Sequence, residues 1–252
     1  MTASLPASPA APTRRVRQRA ATISEIKALA RRQLAEQGPG GLSLRAIARQ
    51  MGTASSALYR YFPSQSDLVT VLCVEAYESL AEGLAAARDA EPPGDHTRRW
   101  VAVCHAYRRW SLDHPADFAL IFGTPLPGYH APPEVTAAAA GRAIGVAADV
   151  YAAAVQAGAA DPGRTEVPAD LKTGALWAAL AGHKAADREP ALAGIVLTAW
   201  ASLLGYLVTE IFGSLNALIS DTDTLYRAHV RTVTLGMGFQ PALTAPSAPD
   251  AG

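Results

Sequence analysis

Residues 42–64 read LSLRAIARQMGTASSALYRYFPS, from Leu42 to Ser64. Two short runs with apolar residues at helical spacing flank Gly52, the residue type that enters the left-handed backbone region without steric cost. Ser43 stands where a side-chain oxygen caps a helix over Leu44–Met51, with Leu44, Ile47, Ala48 and Met51 facing inward. After Thr53 and Ala54, the spacing predicts a third helix over Ser55–Tyr61 that offers Leu58, and then Phe62, to the same core. Its outward side chains are Ser55, Ser56, Tyr59 and Tyr61, with Arg60 beside them. All can hydrogen-bond to bases or phosphates, although Tyr59 could instead pack beside Leu58. So short a helix is unstable alone and must be held by its neighbours. Two short helices joined by a glycine turn form a helix-turn-helix, and a DNA major groove about 12 Å wide admits the second of them.

The segments on either side complete the module. Thr22 with Glu25 reads as a capping box, placing a first helix over Ile23–Gln37 with Ile26, Ala30, Gln33, Leu34 and Gln37 on one face. Gly38 to Gly41 ends it. Ser64 with Asp67 forms a second capping box and opens a long fourth helix to about Arg88, striped by Leu68, Leu72, Ala76, Leu80 and Leu84. Upstream, Arg14 to Arg19 read as a basic arm in which Arg17 and Arg19 follow a nucleic-acid backbone. Arg45 sits near a helix N-terminus, where backbone N–H groups also attract phosphate.

The formal net charge of the 252 residues is zero, but the charge is segregated. Between Arg14 and Ser66 there are ten basic residues against two acids, Glu25 and Glu36, whereas the rest of the chain holds twelve basic and twenty acidic residues. A basic module joined to an acidic body points to an anionic partner for the first and not the second. Residues 14–66 are expected to form this DNA-binding domain and 67–240 a larger helical domain; 1–13 and 241–252, rich in Ala, Pro and Ser, are expected to be disordered tails. Strand alternation is almost absent, so the class is all-α.

The stretch Leu42–Gly52 followed by Ala57–Ser64 resembles the tetracycline-repressor (TetR) family of regulators. Gly38, Ile47-Ala48, Gly52, Leu58-Tyr59 and Tyr61-Phe62 carry the likeness, which covers about Thr22 to Leu72. It implies that Arg45, Ser55, Ser56, Tyr59 and Tyr61 occupy base- and phosphate-contacting positions. Two positions within this face depart from the family pattern. Thr53 stands where Val or Ile is usual in the turn, and Gln65 replaces a phosphate-gripping lysine at the start of the fourth helix. Loss of that cation weakens binding modestly, and the arginine arm offsets it.

Arg109 to Pro125, with Trp200, Gly205 and Phe212-Gly213, is similar to one C-terminal subgroup of the family, except that Leu204-Gly205 stands where His-Gly is frequent. The resemblance implies a homodimer formed through the last two helices, about Ala191–Leu215 and Asp223–Met237, with Leu203, Leu207, Ile211, Leu215, Leu225 and Val233 between copies. It also implies a small, largely apolar effector. Candidates to line its site are Trp100, Tyr107, Phe118, Phe122, Tyr151, Trp177 and His183, each of which could equally be core. The partner DNA would be a pseudo-palindromic operator with half-sites about 34–36 Å apart.

Other classes are weaker. No HExxH, GxSxG, GxxxxGK[ST] or GxGxxG pattern supports an enzyme, and no cofactor is expected. Cys73 and Cys104 lack metal spacing, so no metal site is expected; they read as buried thiols of a cytoplasmic protein. Pro190 to Thr209 carries no charge and is nominally long enough to span a bilayer. Its Ala, Gly, Ser and Thr content and the stripe through Val196, Trp200, Leu203 and Leu207 favour a buried helix and no membrane. A helical adaptor using that run to dock proteins is the alternative to a regulator.

Overall fold

The computed structural model describes residues 13–123, 128–168, 170–174, 177 and 190–240. Of the expected tails, 1–13 and 241–252, all but Thr13 lie outside them, as does His183, and Thr13 is the cap of the first helix. Every regular element of length among the described residues is a helix, and the chain divides into two compact units between Leu68 and Val69, a basic head and a larger body.

The head holds α1 (Arg14–Gln37), α2 (Leu44–Gln50) and α3 (Ser55–Leu58). Helix α1 begins at Arg14, so Arg14–Arg19 are its first turns and not a loose arm. The N-cap is Thr13, whose hydroxyl accepts the Val16 N–H at 3.4 Å. Thr22 lies inside the helix and donates its hydroxyl to the Gln18 carbonyl at 3.0 Å. An interior threonine bonding back one turn carries the same local pattern as a cap, and arginine and alanine extend the helix readily. Gly38, at φ 70°, ends α1 and returns its N–H to the Leu34 carbonyl.

Ser43 caps α2, its hydroxyl accepting the Ala46 N–H at 3.3 Å. Gly52, at φ 62°, makes the turn to α3. Helix α3 is shorter than expected. Four residues are regular helix, and Tyr59–Tyr61 continue as turns in which Tyr61 N–H and Phe62 N–H both reach the Leu58 carbonyl. Pro63 follows at once and cannot extend an α-helical ladder. Ile26, Ala30, Leu34, Leu44, Ile47, Ala48, Leu58 and Phe62 are the buried core of the head.

Helix α4 (Gln65–Ala90) carries the chain from head to body. Its capping box is formed: Ser64 N–H donates to Asp67 Oδ2 at 2.9 Å and Asp67 N–H to Ser64 Oγ at 3.1 Å. Leu68, Leu72, Ala76, Leu80 and Leu84 are fully buried along it.

The body continues with α5 (His96–Asp113), α6 (Pro115–Phe122), α7 (Pro133–Gln156), α8 (Pro190–Ile211) and α9 (Thr222–Gly236). Helices α7 and α8 are long and apolar enough to cross a membrane, but both contribute most of their large apolar residues to the core. The charge-free run of α8 ends on Glu210, which is 5% exposed and takes a bidentate contact from Arg108 of α5 at 2.8 and 2.6 Å. Arg108 also meets Asp223 at 2.6 Å and lies over the Tyr226 ring. Tyr226 donates to the Cys104 carbonyl at 2.6 Å, so α5, α8 and α9 are joined by polar contacts inside an apolar core. Both cysteines are buried, and burial pushes the Cys73 thiol up to about 11 and the Cys104 thiol further.

Candidate nucleic-acid interface

Short capped helices aim the side chains of the head. Gln33 of α1 is 2% exposed, yet its Oε1 accepts the Ser43 N–H at 2.9 Å. The residue before α2 is thus pinned to α1, and with it the height at which Arg45 leaves the next turn. Leu58 anchors α3 in the core, which turns the opposite side of that single turn outward. Thr53, Ser56, Tyr59 and Arg60 are exposed, as are Arg45 and Gln65, while Ser55 and Tyr61 are half-covered. Tyr59 is 41% exposed, so it is not a packed partner of Leu58.

The two tyrosines are not equivalent. The Tyr61 ring lies under the guanidinium of Arg19 at 5.0 Å, and Arg15, Gln18, Arg19, Thr22, Arg60 and Tyr61 together line a groove. Arg17 is exposed on α1 and does not line it. Arg15 belongs to the basic run Arg14–Arg19, and the helical start at Arg14 brings it and Gln18 beside Arg19. Gln33 was on the predicted inner face, and a polar residue within an apolar stripe was the only signal of its role.

Residues 26–72 match the family described as bacterial regulatory proteins, tetR family, and residues 100–233 match the tetracyclin repressor-like C-terminal domain. The HTH-type transcriptional regulator Rv1816 of Mycobacterium tuberculosis is 35% identical over 209 residues, covering 82% of this chain and 88% of that protein. The solved structure of regulatory protein SCO4313 aligns at TM-score 0.68 and 34% identity over 88% of this chain and 98% of its own. RolR, solved in complex with resorcinol, shares the fold at TM-score 0.55 and 14% identity, over 93% of this chain and 98% of that one. The chain belongs to the TetR family. It is a DNA-binding transcriptional regulator, and its relatives are regulators and not enzymes.

In this TetR-family body, the aromatic candidates fall into two groups. Trp100 and Tyr151 both contact Phe239, at 6.3 and 5.9 Å between ring centroids, and the Tyr151 hydroxyl donates to the Met237 carbonyl. Tyr107 stacks on Trp200 at 4.5 Å and meets Phe122, which also touches Phe118 and Tyr77 of α4. Trp100, Tyr107, Phe118, Tyr151 and Trp177 are buried, and Phe122 is half-buried. Among the described residues, the Trp100 Nε1, Trp177 Nε1 and Tyr107 hydroxyl have no hydrogen-bond partner. Burying such groups unpaired costs about 1–3 kcal/mol each.

The expected dimer contacts need correction. Leu203, Leu207 and Val233 are at most 9% exposed in the single chain, because the stripe of large residues on α8 and α9 faces the protomer's own core. Ile211, Leu215 and Leu225 are half-covered. The opposite face carries the exposed Thr198, Ala201, Ser202 and Gly205 of α8 with Ala228, Arg231 and Thr232 of α9. Leu197, Phe212, Leu218, Ile219 and Leu235 add exposed apolar surface along the same two helices and their connection.

Proposed function

We propose that this regulator is a homodimeric cytoplasmic repressor that leaves a pseudo-palindromic operator when a small, largely apolar effector enters the body. The observation that carries the DNA reading is the outward polar face of α3, with Arg45 beside it, on a core that withdraws Leu58 and Phe62. Arg45, Ser55, Ser56 and Tyr59 are the residues assigned to bases and nearby phosphates, with Thr53 and Gln65 at the edge of the contact.

The outer face of α8 and α9 is assigned to the second copy. Its small residues permit close helix approach, and its exposed leucines and phenylalanine supply the apolar area an isologous interface buries. Such a dimer would meet operator half-sites about 34–36 Å apart.

The effector is assigned to the Tyr107, Phe118, Phe122 and Trp200 group, where an unpartnered hydroxyl meets aromatic walls. Trp100, Tyr151 and Trp177 support its surroundings. RolR, which shares this fold, was solved with a small aromatic diol, and this favours a flat ligand here. Tyr77 of α4 touches Phe122 and donates to the Ile121 carbonyl, and Thr70 of α4 pairs with Tyr129 at 3.0 Å. An effector that moves α6 therefore acts directly on the helix whose first turn is capped by Ser64 and Asp67. Release then follows as a shift of population towards dimers whose α3 helices no longer fit both half-sites.

The test is a fluorescence titration against the DNA upstream of the chain's own gene and against random duplex. Salt-sensitive preference for the upstream DNA is expected. Arg45→Ala and Tyr59→Ala should each lower specific affinity at least tenfold, about 1.4 kcal/mol, with unchanged circular dichroism. Equal affinity in both variants would reject the assignment of α3.

A further inference from the structure

Helices α4 and α7 flank an open groove of about 980 Å³ in the body. Its floor is made of small residues, Ala81 and Ala85 of α4 with Ala137, Gly141 and Gly145 of α7. Four carboxylates line it, Glu78 and Glu82 from α4 and Glu134 and Asp149 from α7, against the two guanidinium groups of Arg88 and Arg142. Both cations are already engaged. Arg142 donates to Glu78 at 2.5 Å, and Arg88 makes a bidentate contact at 2.7 and 2.8 Å with Asp89, which lies outside the lining. The groove therefore keeps an excess of negative charge, which concentrates cations within it. The acids are strung out along its length: Glu134 and Asp149 stand about 22 Å apart along α7, and Glu82 lies one turn beyond Glu78 on α4.

Gly145 points independently to an occupant. It sits inside α7, where glycine is less stable than alanine, yet among the described residues no atom lies within 4 Å of the Cβ it lacks. The packing around it does not call for a glycine, and the missing side chain keeps the groove open between Arg142 and Asp149. Among the described residues no aromatic ring lines the groove, so a flat or quaternary cation finds no π face there. Primary and secondary ammonium groups donate N–H bonds to carboxylates, and an unbranched methylene chain fits a floor of alanine and glycine.

We propose that this groove binds a linear aliphatic polyamine, with its ammonium groups on Glu82, Glu134 and Asp149 and its methylene chain along the floor. The site is separate from the aromatic group assigned to the apolar effector, and neither reading depends on the other.

The full chain is titrated with spermine by calorimetry at about 50 mM salt, with putrescine and with magnesium chloride at matched ionic strength as comparisons. Spermine should bind once per chain, and putrescine, which reaches fewer of the carboxylates, more weakly. Glu82→Gln and Glu134→Gln should each weaken spermine by about fivefold. Gly145→Leu should abolish binding, because its side chain fills the groove, and should leave circular dichroism and sedimentation unchanged. Parent-like affinity in Gly145→Leu, or in both glutamine variants, would overturn the proposal. So would equal displacement of spermine by magnesium, which would reduce the site to counterion attraction, and so would a changed oligomeric state in Gly145→Leu, which would give the groove to a second copy. If Gly145→Leu does not fold, the two glutamine variants decide. Each of these failures leaves the DNA-binding reading of the head and the aromatic site untouched.

Discussion

Head and body solve opposite problems with the same secondary structure. The head is small, and nearly every bend in it has a local cause: the Thr13, Ser43 and Ser64 caps and the positive φ of Gly38 and Gly52. Its informative side chains point outward. In the body, a Tyr107–Trp200 stack and an Arg108–Glu210 ion pair join helices about a hundred positions apart in the chain, and the informative side chains point inward. A surface that meets DNA can be specified by short-range rules, because its partner is always the solvent side. An internal site is specified by which helices happen to converge.

The largest expected effect tests whether the body depends on that long-range contact. Arg108→Ala leaves the Glu210 carboxylate buried without its bidentate partner, and chemical denaturation should show a loss of about 3–5 kcal/mol. A loss below about 1 kcal/mol, the range of an exposed pair, would remove the distinction between the two regions.

Next in size is a buried polar contact in the head. Gln33→Ala strands the Ser43 N–H and should cost about 1–3 kcal/mol. Because Arg45 is placed through that link, DNA affinity at a temperature where the variant is folded should also fall. Unaltered affinity would show that the Ser43 cap alone positions α2.

A smaller effect, of opposite sign, is expected inside the body. Tyr107→Phe removes a buried hydroxyl that has no partner among the described residues, so the ligand-free protein should melt at an equal or slightly higher temperature, within about 1 kcal/mol. Clear destabilisation would mean that the hydroxyl serves the fold and not an effector.

The smallest effect is a dependence on pH. His105 is held below its ordinary 6.5 by burial first and then by Arg108, Arg227 and Arg109. The native state therefore binds this proton less readily than the unfolded chain. The stability it contributes is complete above pH 6.5 and is lost as pH falls through that value towards the native one. Urea midpoints at about pH 8 and about pH 5 should differ, and His105→Gln should narrow the difference.

The head could be read from sequence almost residue by residue. The departures are local: the Thr22–Glu25 pattern predicts a start at Ile23 where α1 begins at Arg14, the spacing carries α3 to Tyr61 where the chain turns ahead of Pro63, and Gln37 is exposed at the end of α1. In the body, the aromatic residues were recognisable as a set, but their division between the Phe239 group and the Tyr107 group was not.

Sequence alone determined the helical class, the Ser43 and Ser64 caps, the glycine turn and the polar character of α3, since each depends on residues within a turn or two of one another. Only the tertiary structure decided which side of α8 is inside. A stripe such as Leu203–Leu207 gains the same free energy against its own core as against a second copy, so periodicity identifies the stripe without naming its partner. The packing of α5 against that stripe, secured by Arg108 and Glu210, gives it to the protomer and turns the small-residue face outward.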